Sequence, residues 1–187
     1  MSSRSATAPP SPALVVGGTG MLSGTVQALA DQGCTTAVLA RRPGPPARTG
    51  PVVPVPVDYT DPAALKDALF KAVRDTGRFR LAVLWVHTPA QASAYGVIAQ
   101  ALTDDALVVE VLGSAAAAPS APPATAPAPF HGHRYRRVVL GFADGDDGTT
   151  RWLSHREISE GVTAALRTPE DLRIIGRVRP WTDRPRT

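Results

Sequence analysis

Leu14-Val15-Val16-Gly17-Gly18-Thr19-Gly20-Met21-Leu22-Ser23-Gly24 is the stretch on which the reading of this chain turns. A short apolar run ends in a glycine cluster, and a helical pattern follows at once through Val26, Leu29 and Ala30. That is the strand–turn–helix entrance to a dinucleotide-binding βαβ unit. Gly17 allows the tight turn, and Gly20 lets the backbone approach a pyrophosphate. A helix starting near Gly20 aims its free N–H groups and positive dipole end at the phosphates. Gly18, Thr19, Met21 and Leu22 complete the turn and join the candidate cofactor-binding residues. The competing reading, a turn that merely joins strand to helix, is disfavoured by these flanks.

Outward from this stretch, the pattern alternates. The first helix extends to Gln32, with Gly33 placed to end it. Thr35–Ala40 is a β-branched strand ending in Arg41-Arg42. A site for a bare ribose 2′-hydroxyl carries an acidic residue about 20 positions past the glycines. Here that position offers arginine, whose charged fork suits a 2′-phosphate. The spacing therefore predicts NADP(H), held by Arg41 and Arg42. A Pro/Gly loop over 43–51 leads to Val52–Val57, whose two prolines confine it to a sheet edge. Asp58 after it either reaches adenine or forms a turn. Asp61 and Pro62 cap a helix that closes at Gly77. Arg80–Val86 reads as a buried central strand. Thr88 and Gln91 suggest a capping box with Pro89 at the first helical position, ahead of a helix carrying Ala94, Val97, Ile98, Ala101 and Leu102. Ala106–Leu112 is a fifth strand ending at Gly113-Ser114.

There the alternation breaks. Ala115–Pro129 is an Ala/Pro tract with too much proline for a crossover helix. The sixth strand, Arg136–Ala143, either runs antiparallel to the fifth or is reached by the loop crossing over. A turn at Asp144–Gly148 follows. Ser154 and Glu157 form a capping box, with a Leu153–Ile158 staple, for a helix to about Arg167. Leu172–Val178 is the last strand. The expected fold is a single α/β, doubly wound, Rossmann-like domain over 13–179. Its mostly parallel sheet has about six to seven strands, five of them ordered 3-2-1-4-5. Residues 1–12 read as a disordered lead and 180–187 as a loose tail.

A hydrophobic content of 43% and a charged content of 19% are those of ordinary globular domains. No apolar run approaches the roughly 20 residues needed to span a bilayer. The single Cys34 can form no internal disulfide, which points to a cytoplasmic protein. The net charge of +4 comes from scattered arginines, without a zinc-finger or aromatic RNA-platform motif. That pattern disfavours nucleic-acid binding. His131 and His133 lack a clear third ligand, which argues against a metal site.

At this point the pattern resembles the short-chain dehydrogenase/reductase superfamily in its atypical or extended style. The turn Gly17-Gly18-Thr19-Gly20-Met21-Leu22-Ser23 is similar to that group's Gly-x-x-Gly-x-x-Gly, with Ser23 in the third glycine position. Asp58 with its neighbour Tyr59, and the strand end Val86-His87-Thr88, match the group's adenine- and ribose-contacting stations. The segment from Trp152 to Ser159 looks like one shared by small bacterial proteins described as short-chain dehydrogenases. The resemblance covers residues 13 to 114, and the rest more loosely. It implies nicotinamide-dependent reduction of a small C=O or C=N group.

One departure is large. The family's usual Tyr-x-x-x-Lys pair is missing: Ala63, Ala99 and Val139 stand four residues after the three tyrosines, Tyr59, Tyr95 and Tyr135. Reduction by that pair is excluded, whereas hydride transfer needs only a positioned acceptor and a proton source. Because chemistry sits outside the carboxyl ends of the strands, His87, Tyr95 and Ser114 are the catalytic candidates, with Thr88 and His87 also at the ribose. A small-molecule substrate and no membrane are expected, and a homodimer if the helix after His87 has an apolar outer face. The alternatives are a non-catalytic NADP-binding sensor or partner-binding protein, and an isomerase or cyclase on the same fold.

Overall fold

β1 (Ala13–Val16) is buried at every position, because sheet neighbours flank it on both sides and helical layers cover both faces. The computed structural model describes residues 11–44, 50–121, 125–146 and 148–185. Around β1 stand β2 (Thr36–Ala40), β3 (Val52–Pro56), β4 (Phe79–Leu84), β5 (Leu102–Leu112), β6 (Arg134–Leu140) and β9 (Leu172–Ile175). They form one seven-stranded sheet in the order β3-β2-β1-β4-β5-β6-β9, parallel throughout. β3 is at the edge, as Pro54 and Pro56 require.

The parity of the strand residues sorts the core into two layers. Leu14, Val16, Ala82, Leu84 and Val108 face α2 (Pro62–Thr76) and α3 (Thr88–Gln100). Ala13, Val15, Leu81, Val83 and Val109 face α1 (Ser23–Asp31) and α4 (His155–Ala165). Local chemistry sets the helix ends. Asp61 accepts hydrogen bonds from the N–H groups of Ala63 and Ala64, with Pro62 behind it. Ser154 and Glu157 form the expected capping box. No helix among the described residues is long and apolar enough to cross a membrane.

Several expectations need correction. α1 begins at Ser23 rather than near Gly20, because the turn through Gly17 (φ +78°) extends to Leu22. α3 is capped by His87, and Gln91 donates to the Val86 carbonyl instead of closing a capping box. The sixth strand is parallel to the fifth, in register from Leu107 opposite Arg134 to Leu112 opposite Val139. The Ala/Pro tract therefore crosses over, through 3₁₀ turns at Ser114–Ala117 and Ala128–Phe130. Residues 122–124 of it lie outside the described residues, as do 45–49 and the lead to residue 10. Phe130, fully buried against Tyr95 and Tyr135, anchors that crossover in place of a helix.

The sixth strand also stops early. At Gly141 a Cβ would lie 2.7 Å from the Arg177 carbonyl carbon. Beyond it, β7 (Phe142–Asp144) pairs antiparallel with β8 (Thr150–Trp152), so Trp152 belongs to a hairpin and not to the helix. The connection from β6 to β9 places α4 on the α1 face, whereas that from β4 to β5 places α3 on the other. Both move the same way across the sheet, so the two have opposite hands and the α4 crossover departs from the right-handed rule. Up to residue 185 the segment after β9 is tied down, and residues 186–187 of the expected loose tail lie outside the described residues. Arg177 pairs with Asp144 and Asp183, Thr150 Oγ1 donates to the Asp183 carbonyl, and Arg184 lies over Trp152 and Trp181.

Candidate functional site

At the carboxyl ends of the strands two cavities lie side by side, with Trp85 and His87 lining both. The first, about 500 Å³, is lined by Gly17, Thr19, Ala40, Arg41, Arg42 and Tyr59 in addition to that pair. Its floor is the glycine turn. Gly17 is required there twice over, by its positive φ and by Trp85, whose carbonyl oxygen would lie 3.1 Å from a Cβ. Gly18 is packed beneath, within 3.1 Å of Val15, Val26 and Val38 side-chain atoms if given a Cβ. Leu22 is fully buried and Met21 half-buried against the core, and neither lines the cavity. The N–H groups of Thr19, Gly20, Met21 and Leu22 make no hydrogen bond to described residues. A row of such donors at a helix start suits an anion.

Arg41 and Arg42 are exposed on the rim of this cavity, at the end of β2. Asp58 forms a turn at the end of β3. Its carboxylate accepts from the Thr60 N–H at 2.9 Å and the Thr60 hydroxyl at 2.7 Å. Those bonds, with the charge of Arg41, hold it below the usual carboxylate range. Tyr59 and His87 meet across the cavity, Oη to Nδ1 at 2.7 Å. When the tyrosine hydroxyl donates, the neutral imidazole carries its hydrogen on Nε2 and can donate a hydrogen bond to a ligand. Trp85 packs edge-on to His87, with ring centroids 5.9 Å apart.

The second cavity, about 850 Å³, lies over β5 and β6 where a crossover helix would otherwise pack. Thr88 lines it, next to His87. Tyr95 and Ser114 do not, although the strand ends suggested both. Tyr95 is 2% exposed and donates to Glu110 Oε1 at 2.5 Å, while Tyr135 donates to Glu110 Oε2. Burial first, and then the bond to that carboxylate, raise the proton affinity of both tyrosines. They are the opposite of a tyrosine prepared to release a proton. Ser114 is 5% exposed and accepts from Arg184 Nε at 2.9 Å.

Sequence reasoning passed over several residues here. Trp85 could have been found from its place at the end of a central strand. Glu110 and Arg137 line the second cavity because they are direct partners across β5 and β6. That pairing was invisible until the sixth strand's direction was known. Gly24 is the point of closest approach between α1 and α4, where a Cβ would come within 2.8 Å of Ser159 Cβ. The Ser159 hydroxyl accepts from the Gly24 N–H and donates to the Met21 carbonyl, pinning the glycine turn from the far end of the chain.

No family model matches the chain, and no curated protein matches it. Solved structures do. A short-chain dehydrogenase/reductase from Serratia marcescens superposes with a TM-score of 0.63 at 17% identity, over 90% of this chain and 97% of that one. A short-chain dehydrogenase from Burkholderia cenocepacia, solved in complex with NADP, gives 0.63 at 14% over 90% and 97%. A short-chain type dehydrogenase/reductase from Mycobacterium marinum gives 0.65 at 15% over 92% and 96%. Identities this low speak for architecture alone, and in that respect the chain has the Rossmann-like parallel sheet of the short-chain dehydrogenase/reductases.

Proposed function

We propose that this protein binds NADP(H) along the carboxyl ends of its strands and uses it to reduce a small C=O or C=N compound. One observation carries the reading: the glycine turn, through Gly17 and Thr19, and the Arg41-Arg42 pair line the same cavity. The pyrophosphate belongs on the turn, and the 2′-phosphate within reach of the arginines. Trp85 and His87, which line both cavities, would hold the nicotinamide end, and the larger cavity would receive the acceptor. The cofactor supplies hydride to the carbon of the double bond. His87 in its imidazolium form, with Nδ1–H donating to Tyr59 Oη, would pass its Nε2 proton to the heteroatom and become neutral, and solvent would restore that proton.

The test is titration with NADPH and NADH on the wild type and on Arg41→Ala/Arg42→Ala. Loss of charge-assisted hydrogen bonds worth about 1.5–3 kcal/mol should weaken NADPH by about 10–100-fold and leave NADH nearly unchanged. Binding of neither nucleotide by the wild type would refute the reading. A non-catalytic NADP-binding role has one observation in its favour, the locking of Tyr95 and Tyr135 on Glu110. Nucleotide binding without loss of reduced-nicotinamide absorbance, across carbonyl and imine substrates, would favour that role.

A further inference from the structure

The larger cavity contains a cation with no acceptor among the described residues. Three arginines stand close together on β6, and two are spent. Arg134 Nε donates to the Asp105 carbonyl at 3.2 Å, and Arg136 Nη1 to the Ala165 carbonyl at 3.1 Å on the α4 side. Arg137 points to the other face, where it is half-buried and lines the cavity. Among the described residues its guanidinium donates no hydrogen bond and forms no ion pair, although Glu110 is its direct partner across the strands. The reason is on the same face: Tyr95 and Tyr135 each occupy one oxygen of that carboxylate. The two tyrosines thus hold Glu110 and leave the arginine fork unused. A guanidinium has five N–H donors, no acceptor and no accessible neutral form. On the wall of an open cavity, with no acceptor among the described residues, its fork is available to an anion that enters.

We infer that Arg137 is a specificity-determining residue that receives a carboxylate of the substrate. The rest of the lining fits an apolar body attached to that group, with Val86, Leu112, Ala116 and Pro127 around it. His87 lies on the same cavity wall, so an anion seated on Arg137 keeps its reactive group inside the cavity that the proton donor borders. The inference rests on the proposed function only in taking this cavity as the substrate side. The substrate class is then a small carboxylic acid with an apolar body and a reducible C=O or C=N group.

The experiment is calorimetric titration of benzoylformate and of its neutral isostere benzoylformamide, with and without saturating NADP⁺. The variants are Arg137→Gln and Arg137→Lys. The acid should bind the wild type at least about tenfold more tightly than the amide, the order expected for a charge-assisted bidentate pair. Arg137→Gln should abolish that preference while amide affinity stays put, and Arg137→Lys, which keeps the charge without the fork, should retain part of it. Equal affinities, no saturable binding of the acid, or a preference that survives Arg137→Gln would overturn the inference. A wild-type acid-to-amide ratio near one overturns the inference without any variant, and if one variant fails to fold the other still tests whether the preference belongs to Arg137. Failure of NADP⁺ to bind is read separately, and the titrations without nucleotide still test Arg137.

Discussion

The two cavities adjoin, yet they are built by different means. The smaller is made of backbone: a glycine turn, the end of the next strand, and side chains that need only be near it. Every part except Trp85, Tyr59 and His87 lies within residues 17–42. The larger is made of side chains from β5 and β6 that meet only because the strands are parallel and in a particular register. It exists because the crossover above it is a loop anchored by one phenylalanine. The lesson is that a binding surface formed by local backbone can be read from its motif. One formed by strand pairing waits for the topology.

This contrast can be broken, and the largest effect should come from Phe130. Phe130→Ala removes the anchor between Tyr95 and Tyr135 and should cost about 3–5 kcal/mol of stability by urea denaturation. Native protein that remains should still bind NADPH normally; weakened nucleotide binding would show that the two cavities are not independent. Gly17→Val is the converse. A β-branched residue at φ +78° against Trp85 should cost about 2–3 kcal/mol and remove nucleotide binding, with benzoylformate affinity nearly kept. Tyr95→Phe takes one donor from the buried Glu110 carboxylate and should cost about 1–3 kcal/mol. It should also let Glu110 turn to Arg137, so benzoylformate binding should weaken although Tyr95 does not line the cavity.

The smallest effect lies far from both cavities, at Glu157. Its bonds to Arg151 first, and then to Ser154, lower its pKa from 4.5 to about 2. A depressed carboxylate pKa gives stability that is full above the unfolded-state value and fades as pH falls toward the folded one. The urea midpoint of Glu157→Gln should therefore trail the wild type at pH 7 and converge with it between pH 4.5 and about 2. Solvent screening of this partly exposed pair keeps the difference under about 1 kcal/mol. A gap that persists at low pH would assign the effect to packing instead of charge.

Where the sequence-based reading failed, the failures have a common origin. The caps at Asp61 and Ser154 and the proline edge at β3 were legible because each depends on residues within a few positions. The expected capping box at Thr88 failed because Gln91 found the Val86 carbonyl, an equally local competitor. Tyr95 looked like a cleft residue from its distance past a strand end, but its face of α3 turns toward β5 and a buried carboxylate. Among the described residues the exposed large apolar side chains are Trp152, Leu172 and Ile174, none of them on α3.

By itself the sequence determined the βαβ entrance, the glycine turn, the arginines at the end of β2, and the absence of a Tyr-x-x-x-Lys pair. Each is a property of residue type at short spacing, where backbone sterics and hydrogen bonding decide. Only the tertiary structure decided the direction of β6, the pairing of Glu110 with Arg137, and the grip of Ser159 on the turn from 135 residues away. Those contacts depend on which face and which neighbour each strand and helix acquires. That choice is made by packing the whole sheet between its two apolar layers, and no local stretch encodes it.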